Sequence, residues 1–172
     1  MEIRLASVED ADKIACVHVN SWRTSYRNLV SEEYLASLDV DKRTNLWQNI
    51  LANHQSTNIT YVAEEQGHIV GFINGGQARS KEMPYEAEVY AFYLLEEYQR
   101  QGIGSLLFKK ITGDFRSLGY KSMMLWVLKD NPSYAFYQKQ GGISFDEELI
   151  TIGNEQLLEV ALGWDDFTQL SF

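Results

Sequence analysis

The spacing of hydrophobic and polar residues changes several times along the chain, and each change marks a predicted element. Apolar residues recur at helical spacing from Ala11 to Trp22, whereas residues 59–73 alternate as strands do around a polar turn at Gly67. Strands are predicted at residues 3–5, 59–63, 69–73, 87–95, 123–128, 149–152 and 157–162. Helices are predicted after Ser7, after Ser31 to about 38, and at 41–53, 103–118 and 132–140. Residues 79–86 are polar and are predicted to form a loop.

This order of elements predicts a mixed α/β fold built on one sheet. Two hairpins, at residues 59–73 and 149–162, indicate that most neighbouring strands run antiparallel. We expect about six or seven strands flanked by four or five helices. The chain has no linker-like stretch rich in Pro, Gly and Ser, so residues 1–172 are predicted to form a single domain.

The net charge narrows the range of partners. Fifteen Lys and Arg against 24 Asp and Glu give −9, which disfavours nucleic-acid binding. The same charge would attract a cationic substrate or serve solubility alone. Cys16 is the one cysteine, so no intrachain disulfide forms, which fits a reducing cytoplasm, and its apolar neighbours predict a buried, inert thiol. The sequence shows no signal peptide and no apolar run long enough for a membrane span.

The turn before the predicted helix at 103–118 is the strongest candidate for chemistry. Gly102 and Gly104 lie where a strand ends and a helix begins, so several backbone N–H groups lack helical partners. These amides and the helix dipole favour an anion, and glycine lets a bulky phosphate approach. Two glycines can also form only a tight turn. The spacing matches neither a dinucleotide nor a nucleoside-triphosphate loop.

Two separated motifs resemble those of the GNAT acetyltransferases. Residues 99–104, QRQGIG, resemble the Q/R-x-x-G-x-G/A pyrophosphate motif, and residues 131–137, NPSYAFY, resemble the segment that opens the last conserved helix of that family. The order of strands and helices agrees across nearly the whole chain. The resemblance implies a GNAT-like fold with acetyl-CoA as cosubstrate.

The resemblance also implies which residues bind the cosubstrate. The strand before the turn would splay from its neighbour, often at a bulge, and its main chain would pair with the pantetheine arm and polarise the thioester carbonyl. Asn131 would contact the pantetheine through its side chain. The implied cofactor-binding residues are Tyr93, Leu94, Leu95, Gln99, Arg100, Gln101, Gly102, Ile103, Gly104, Ser105, Asn131 and Tyr137.

Tyr137 corresponds to the residue that often serves the family as general acid, protonating the departing thiolate; the alternative is a core aromatic. The best candidate for the base that accepts the proton of the amine is Glu88. The alternative is that Glu88 is an ordinary surface acid, and Glu86 and Tyr90 are the next candidates for the base. Strict alternation would place Glu88, Tyr90, Phe92 and Leu94 on one face of their strand.

The acceptor site is less defined by the sequence. Trp22 and Tyr26 lie one turn apart in the region from which the family builds this site, and with Tyr90 they are candidates for an aromatic wall that suits a cationic amine. The alternative is a core aromatic pair. Gly141-Gly142 departs from the usual Gly-Phe, which predicts a more flexible backbone after the helix and puts acceptor specificity in doubt.

We therefore expect an N-acetyltransferase in which a primary amine of a small-molecule acceptor attacks acetyl-CoA directly in a ternary complex. The alternatives are a non-catalytic CoA-binding sensor and an acetyltransferase of protein N-termini or lysines. His18, His54 and His68 are far apart and outside any ligand cluster, so no metal is expected, and His18 is predicted to be a hydrogen-bonded core residue. The resemblance further suggests a homodimer.

Overall fold

The computed structural model describes residues 1–53 and 58–167. Its strands are β1 (Glu2–Leu5), β2 (Ile59–Glu65), β3 (His68–Gln77), β4 (Ala87–Leu94), β5 (Met123–Leu128), β6 (Ile143–Ile152) and β7 (Glu155–Trp164). Its helices are α1 (Ala11–Ser25), α2 (Glu32–Ser37), α3 (Val40–Ala52), α4 (Ile103–Ser117) and α5 (Ser133–Lys139).

The seven strands form one sheet in the order β1-β2-β3-β4-β5-β7-β6. Each neighbouring pair is antiparallel except β4 and β5, which run parallel at the centre. Helix α4 packs its apolar face, including Leu107 and Phe115, on one side of the sheet. Helices α1 and α3 cover the other side, where Trp47 packs against Phe72. The predicted mixed, mostly antiparallel sheet is confirmed.

The centre of the sheet opens between β4 and β5. Their parallel pairing ends at Val89 and Leu125, so the later residues of both strands separate. At the next residue, Tyr90, strand β4 carries a bulge, because Asn74 and Gly75 of β3 pair with Ala91 and Val89. A bulge and a splay lie where the family resemblance implied them.

The bulge also overturns the predicted alternation along β4. Before it, Val89 packs with α4; after it, Phe92 and Leu94 pack on that same side, while Tyr93 packs with α1 and α3. Glu88, next to Val89, points to the α1 side. Its neighbours in the lining of a common cavity are Met124 and Trp126. The prediction that Glu88 shares a face with Phe92 and Leu94 is wrong, because the extra residue inverts the register of the side chains.

The C-terminal hairpin is longer than the sequence predicted. Strand β6 begins at Ile143, immediately after the two glycines, so the backbone that follows them is a regular strand. Gly142 is buried, and a Cβ on it would lie 2.7 Å from the indole of Trp164. The Trp164 Nε1–H donates to the carbonyl oxygen of Gln140 at 2.9 Å. The indole thus occupies the space beside Gly142 and leaves no room for a larger residue there.

Cys16 is exposed, contrary to the prediction. It lies on the solvent stripe of α1 with Asp12, Asn20 and Arg23, at the spacing of one helix face. His18 is buried as predicted, and its Nδ1 accepts from the Trp47 Nε1–H at 3.2 Å. Burial, followed by Arg43, lowers the pKa of His18 to about 3, so the ring is neutral.

Two features of the described residues bear on other functions. No helix in residues 1–53 and 58–167 is long and apolar enough to cross a bilayer. The same part of the chain contains no group of three or more His, Cys, Asp or Glu side chains placed to hold a metal ion. His54 lies outside the described residues, and His68 is exposed at the start of β3.

Candidate active site

The turn before α4 presents a row of unused amides. Gly102 is the N-cap residue, with a φ of +84° that favours glycine, and the first helical bond runs from Leu106 N to Gly102 O at 3.1 Å. The amides of residues 101–105 donate to no other group in the described chain. They face outward at the positive end of a 15-residue helix. This arrangement suits the pyrophosphate of CoA.

The side chains around the turn brace it. Gln99 Nε2 donates to the Leu94 carbonyl oxygen at 3.1 Å, and Gln101 Nε2 donates to the Glu97 carbonyl oxygen at 2.7 Å. Arg100 is exposed and adopts a φ of +58°, which is uncommon for a residue with a Cβ. Gln99 therefore connects the turn to the end of β4, and Gln101 connects it to the segment that follows β4.

The free edge of β4 faces the gap left by β5. Leu95 N donates to Val70 O of β3 at 2.9 Å, and the carbonyl oxygen of Tyr93 lies next to Gly71 of β3. Because N–H and C=O groups alternate in direction along a strand, the main chain of Leu94 and Phe92 points to the gap. Of the three predicted pantetheine residues, only Leu94 has its main chain there, and sequence reasoning missed Phe92.

Tyr137 projects from α5 into the same region. Its side chain is 6% exposed and contacts the rings of Phe92, Phe108 and Phe136 at centroid distances of 6.2, 6.5 and 5.4 Å. Burial, and then the nearby Tyr93, raise the pKa of Tyr137 well above its ordinary value. The phenol is therefore protonated, as a proton donor must be.

Several predicted residues converge beside Tyr137. Trp22 and Tyr26 at the end of α1 have ring centroids 4.6 Å apart and pack in one cluster with Tyr93 and Leu128, at the ends of the splayed strands. Asn131 is buried, and its Oδ1 accepts from the Ser133 amide at 2.8 Å, where it begins α5. The sequence placed these residues in two separate predictions, and the fold brings them together.

The Tyr93 side chain is the member of this group that sequence reasoning missed. It stacks on His18 with ring centroids 4.6 Å apart. Burial raises its pKa, while the side chains of Trp22 and Tyr26 oppose that rise. Only its main chain was expected to act, and the bulge at Tyr90 is what turns the side chain towards α1. A bulge cannot be located from alternation alone.

Glu88 lines a cavity of about 310 Å³ on the α1 face of the sheet, together with Arg79, Ser80, Met83, Met124 and Trp126. Its carboxylate is buried and paired with Arg79, an exposed residue of the β3–β4 loop. Arg79 Nε donates to Oε1 at 3.0 Å, Arg79 N donates to Oε2 at 2.9 Å, and Nη2 also donates to Oε1. Nothing in the local sequence around Arg79 signals this contact.

The two reserve bases lie on either side of Glu88. The Arg79 guanidinium lies 4.8 Å from the centre of the Tyr90 ring, and burial followed by Glu88 raises the pKa of Tyr90 to about 12. The Tyr90 hydroxyl donates to Gln77 O. Glu86 is exposed and accepts from the amides of Lys121 and Ser122 at 2.6 and 3.3 Å. Its carboxylate fastens the start of β5 rather than lining the Glu88 cavity.

The unused amides, the splayed parallel strands and the buried tyrosine form an arrangement that suits an acyl-CoA site of the N-acetyltransferase class. The chain matches the acetyltransferase (GNAT) family over residues 20–142. It is 39% identical over 169 residues to an uncharacterized N-acetyltransferase, YuaI, of Bacillus subtilis, covering 98% of this chain and 95% of that protein. The chain belongs to the GNAT family and is an acyl-CoA-dependent N-acetyltransferase.

Two matches from Thermoplasma acidophilum, one to a sequence and one to a crystal structure, are informative. A spermidine N(1)-acetyltransferase is 28% identical over 145 residues, covering 82% of this chain and 87% of that protein. The crystal structure of PaiA N-acetyltransferase in complex with coenzyme A matches with a TM-score of 0.74 at 28% identity, covering 92% of this chain and 96% of that one. The fold predicted as GNAT-like is thereby confirmed, and a CoA-bound neighbour supports acetyl-CoA as cosubstrate.

Proposed function

We propose that the protein transfers the acetyl group of acetyl-CoA to a primary amine of a small-molecule acceptor within a ternary complex. The observation that carries this proposal is the gap between β4 and β5, which joins the unused amides of the α4 turn to the buried Tyr137. The amine nitrogen attacks the thioester carbon, the C–S bond breaks, and the amine proton is lost. The sulfur leaves as a thiolate and gains a proton.

On the cosubstrate side, the amides of residues 101–105 bind the pyrophosphate. The main chain of Phe92 and the N–H of Leu94, whose carbonyl oxygen already accepts from Gln99, pair with the pantetheine. A main-chain N–H on this edge polarises the thioester carbonyl. Asn131 binds the pantetheine through its Nδ2 donors, since its Oδ1 already accepts from Ser133. The side chains of Gln99 and Gln101 hold the turn in place.

Tyr137 protonates the leaving thiolate. Its raised pKa keeps the proton on the phenol until a strongly basic thiolate forms nearby. Glu88 remains the proposed base, but its carboxylate is engaged by Arg79. All three hydrogen bonds from Arg79 engage its oxygens, so Arg79 has to release an oxygen before Glu88 accepts a proton.

The acceptor side carries negative charge that suits an ammonium group. Glu159 is half-buried; burial, followed by Glu148, raises its pKa, and Arg79 and Glu88 also act on it. Glu88 and Glu159 are thus near enough to share the charge of Arg79. With the aromatic wall of Trp22 and Tyr26, this favours a cationic small amine. A spermidine acetyltransferase among the relatives supports the same class.

The test is a turnover screen that measures the free thiol of CoA with polyamines, amino acids, aminoglycosides and peptides. We expect release of CoA with at least one small amine. CoA binding without turnover of any amine would favour the sensor alternative, and turnover of peptides alone would favour the protein acetyltransferase. The matched comparison is the same screen with Tyr137→Phe, which should be slow with every amine.

We also propose that the protein acts in the cytoplasm as a homodimer. The lone, exposed Cys16 fits a reducing compartment. Strand β6 is an edge of the sheet and exposes Leu149, which suits pairing with a second copy. Light scattering on the purified protein distinguishes dimer from monomer.

A further inference from the structure

The cavity beside Glu88 begins where the gap between β4 and β5 begins. The last parallel pair of the two strands is Val89 with Leu125, and Trp126 is the next residue of β5. Trp126 lines the cavity, as does Met124, the residue of β5 that pairs with Glu88. Residues two apart on a strand share a face, so the cavity runs along β5 from the gap at Trp126 to Met124. A molecule bound there has one end at the gap.

Half of the residues that line the cavity are apolar. The sheet contributes Met124 and Trp126, and the β3–β4 loop contributes Met83. Thioether and indole side chains offer a large contact area to carbon, and methionine adapts to chains of different shape. These three side chains therefore suit a hydrocarbon group better than a second charged group.

The acidic group of the cavity already has a cationic partner. Glu88 is the one acid among the six described residues that line it. Arg79 donates to both of its carboxylate oxygens, from Nε to Oε1 at 3.0 Å and from the main-chain N to Oε2 at 2.9 Å. A second ammonium group that entered the cavity would meet the Arg79 cation and would lose its hydration without gaining a free carboxylate.

The gap end of the cavity suits an ammonium group. Leu128 follows Trp126 on the same face of β5, and its antiparallel partner on β7 is Glu159. Side chains of directly opposed residues share a face, so Glu159 lies on the side of the sheet that carries the cavity. Its carboxylate attracts the reacting ammonium group towards the gap, and the carbon chain of the acceptor then extends towards Met124.

We propose that the cavity beside Glu88 binds the carbon chain of the acceptor, so that the protein selects primary amines with one ammonium group and an apolar chain. This inference rests on the proposed function and names the substrate class of that site. Met83, Met124 and Trp126 are its specificity-determining residues. The cavity volume is about 310 Å³. A water molecule occupies about 30 Å³ in the liquid, so the cavity holds about ten non-hydrogen atoms.

The test compares hexylamine with cadaverine, which have the same number of non-hydrogen atoms and differ in a terminal methyl or ammonium group. Release of the free thiol of CoA measures turnover. We expect kcat/KM to be about tenfold or more higher for hexylamine, because the second ammonium group of cadaverine would be buried without a partner. From propylamine to hexylamine, kcat/KM should rise by about fourfold for each methylene that is buried.

Two variants test the lining of the cavity. Met83→Gln keeps the length of a half-buried loop side chain and makes it polar, and Trp126→Leu removes the indole from the sheet. Each should lower the preference for hexylamine over cadaverine by about tenfold while the KM for acetyl-CoA stays near that of wild type. A merely structural role would slow both amines alike and leave their ratio unchanged.

Leu46→Gln is the matched control. Leu46 is 43% exposed on α3, so this variant makes the same change from apolar to polar outside the cavity. It should keep the wild-type preference.

A wild type that prefers cadaverine would overturn this inference and leave the proposed function standing. An unchanged preference in both Met83→Gln and Trp126→Leu would do the same, as would turnover of amino acids without turnover of either test amine. Absence of turnover by the wild type with any amine would overturn the proposed function and this inference together.

Discussion

The CoA half and the acceptor half of the site are built from different parts of the chain. The proposed CoA half would use residues 92–105 and 131–137, two short contiguous segments, and would work largely through main-chain groups. The proposed acceptor half draws on Trp22, Arg79 and Glu159, which lie on α1, a loop and β7. A half built from local backbone leaves a local signature in the sequence, and a half built from distant side chains leaves none.

Tyr137→Phe should have the largest effect, because Tyr137 lies where the two halves meet. Loss of a general acid lowers kcat by about 10²-fold or more, while the affinity for acetyl-CoA should stay near normal because the amide cradle is untouched. Steady-state kinetics at saturating amine measure both. The control is Tyr134→Phe on the same helix, at a half-buried ring with no assigned role, which should keep its kcat. An unchanged kcat in Tyr137→Phe would show that the assigned role is wrong.

The pH dependence tests the same assignment. Burial raises the pKa of Tyr137 above the usual value of about 10, so its proton is retained as pH rises. We therefore expect kcat/KM for the amine to increase with pH as the acceptor loses its proton, with no decline from Tyr137 below about pH 10. A decline below that pH that disappears in Tyr137→Phe would contradict the predicted shift.

Gly142→Ala should be next in size, and it tests why this chain departs from the Gly-Phe of the resemblance. The new Cβ would lie 2.7 Å from Trp164 and 3.1 Å from the Tyr137 carbonyl oxygen. Overpacking of this kind costs about 1–3 kcal/mol of stability. Thermal or denaturant unfolding measures it. The cost should shrink in a Trp164→Leu background, and an equal cost in both backgrounds would mean that the indole is not the cause.

Gly102→Ala should weaken the CoA half alone. A residue with a Cβ at a φ of +84° is strained by about 1–2 kcal/mol, and relief of that strain moves the amides of the turn. We expect the Kd for CoA to rise by about tenfold, which corresponds to about 1.4 kcal/mol. Gly113→Ala is the control, since Gly113 lies within α4 with open space around it and should gain about 0.5–1 kcal/mol of stability. Equal CoA affinity in both variants would argue that the amides of residues 101–105 do not bind CoA.

The difference between the two halves explains how much of the fold and of the site could be predicted from the sequence. The elements, the sheet class and the α4 turn follow from local patterns, because helical spacing, alternation and glycine near a helix start report on backbone geometry. The side chains on each face of β4 could not be predicted from local patterns. One extra residue at Tyr90 inverts the alternation that had placed Glu88 and Phe92 on the same face.

Contacts between residues that lie far apart in the sequence also could not be predicted. The ion pair between Arg79 and Glu88 depends on how the β3–β4 loop folds back. The packing of Trp164 on Gly142 depends on the register of β6 and β7. Cys16 was misplaced for a simpler reason. The helix α1 is covered on two sides, by the sheet and by α3, so the only polar stripe left is narrow, and Cys16 lies within it.

Arg79→Gln should have the smallest effect, and it should fall on the acceptor half alone. The Glu88 side chain is only 5% exposed, so this is not a surface pair, but the Arg79 guanidinium is 64% exposed and its charge is screened by solvent. A few-fold change in the KM of the amine is therefore the expected scale. Without Arg79, the charge of Glu88 in the cavity and that of Glu159, which acts electrostatically on Arg79, attract a cationic amine more strongly. We expect a lower KM for an acceptor with a second ammonium group and an unchanged KM for acetyl-CoA. Lys129→Gln, which breaks the exposed pair with Glu147 at 3.1 Å and removes the same charge, is the control and should change neither constant. If Arg79→Gln altered the KM for acetyl-CoA and not that of the amine, the Glu88 cavity would belong to the CoA half, and the division drawn between the two halves would not hold.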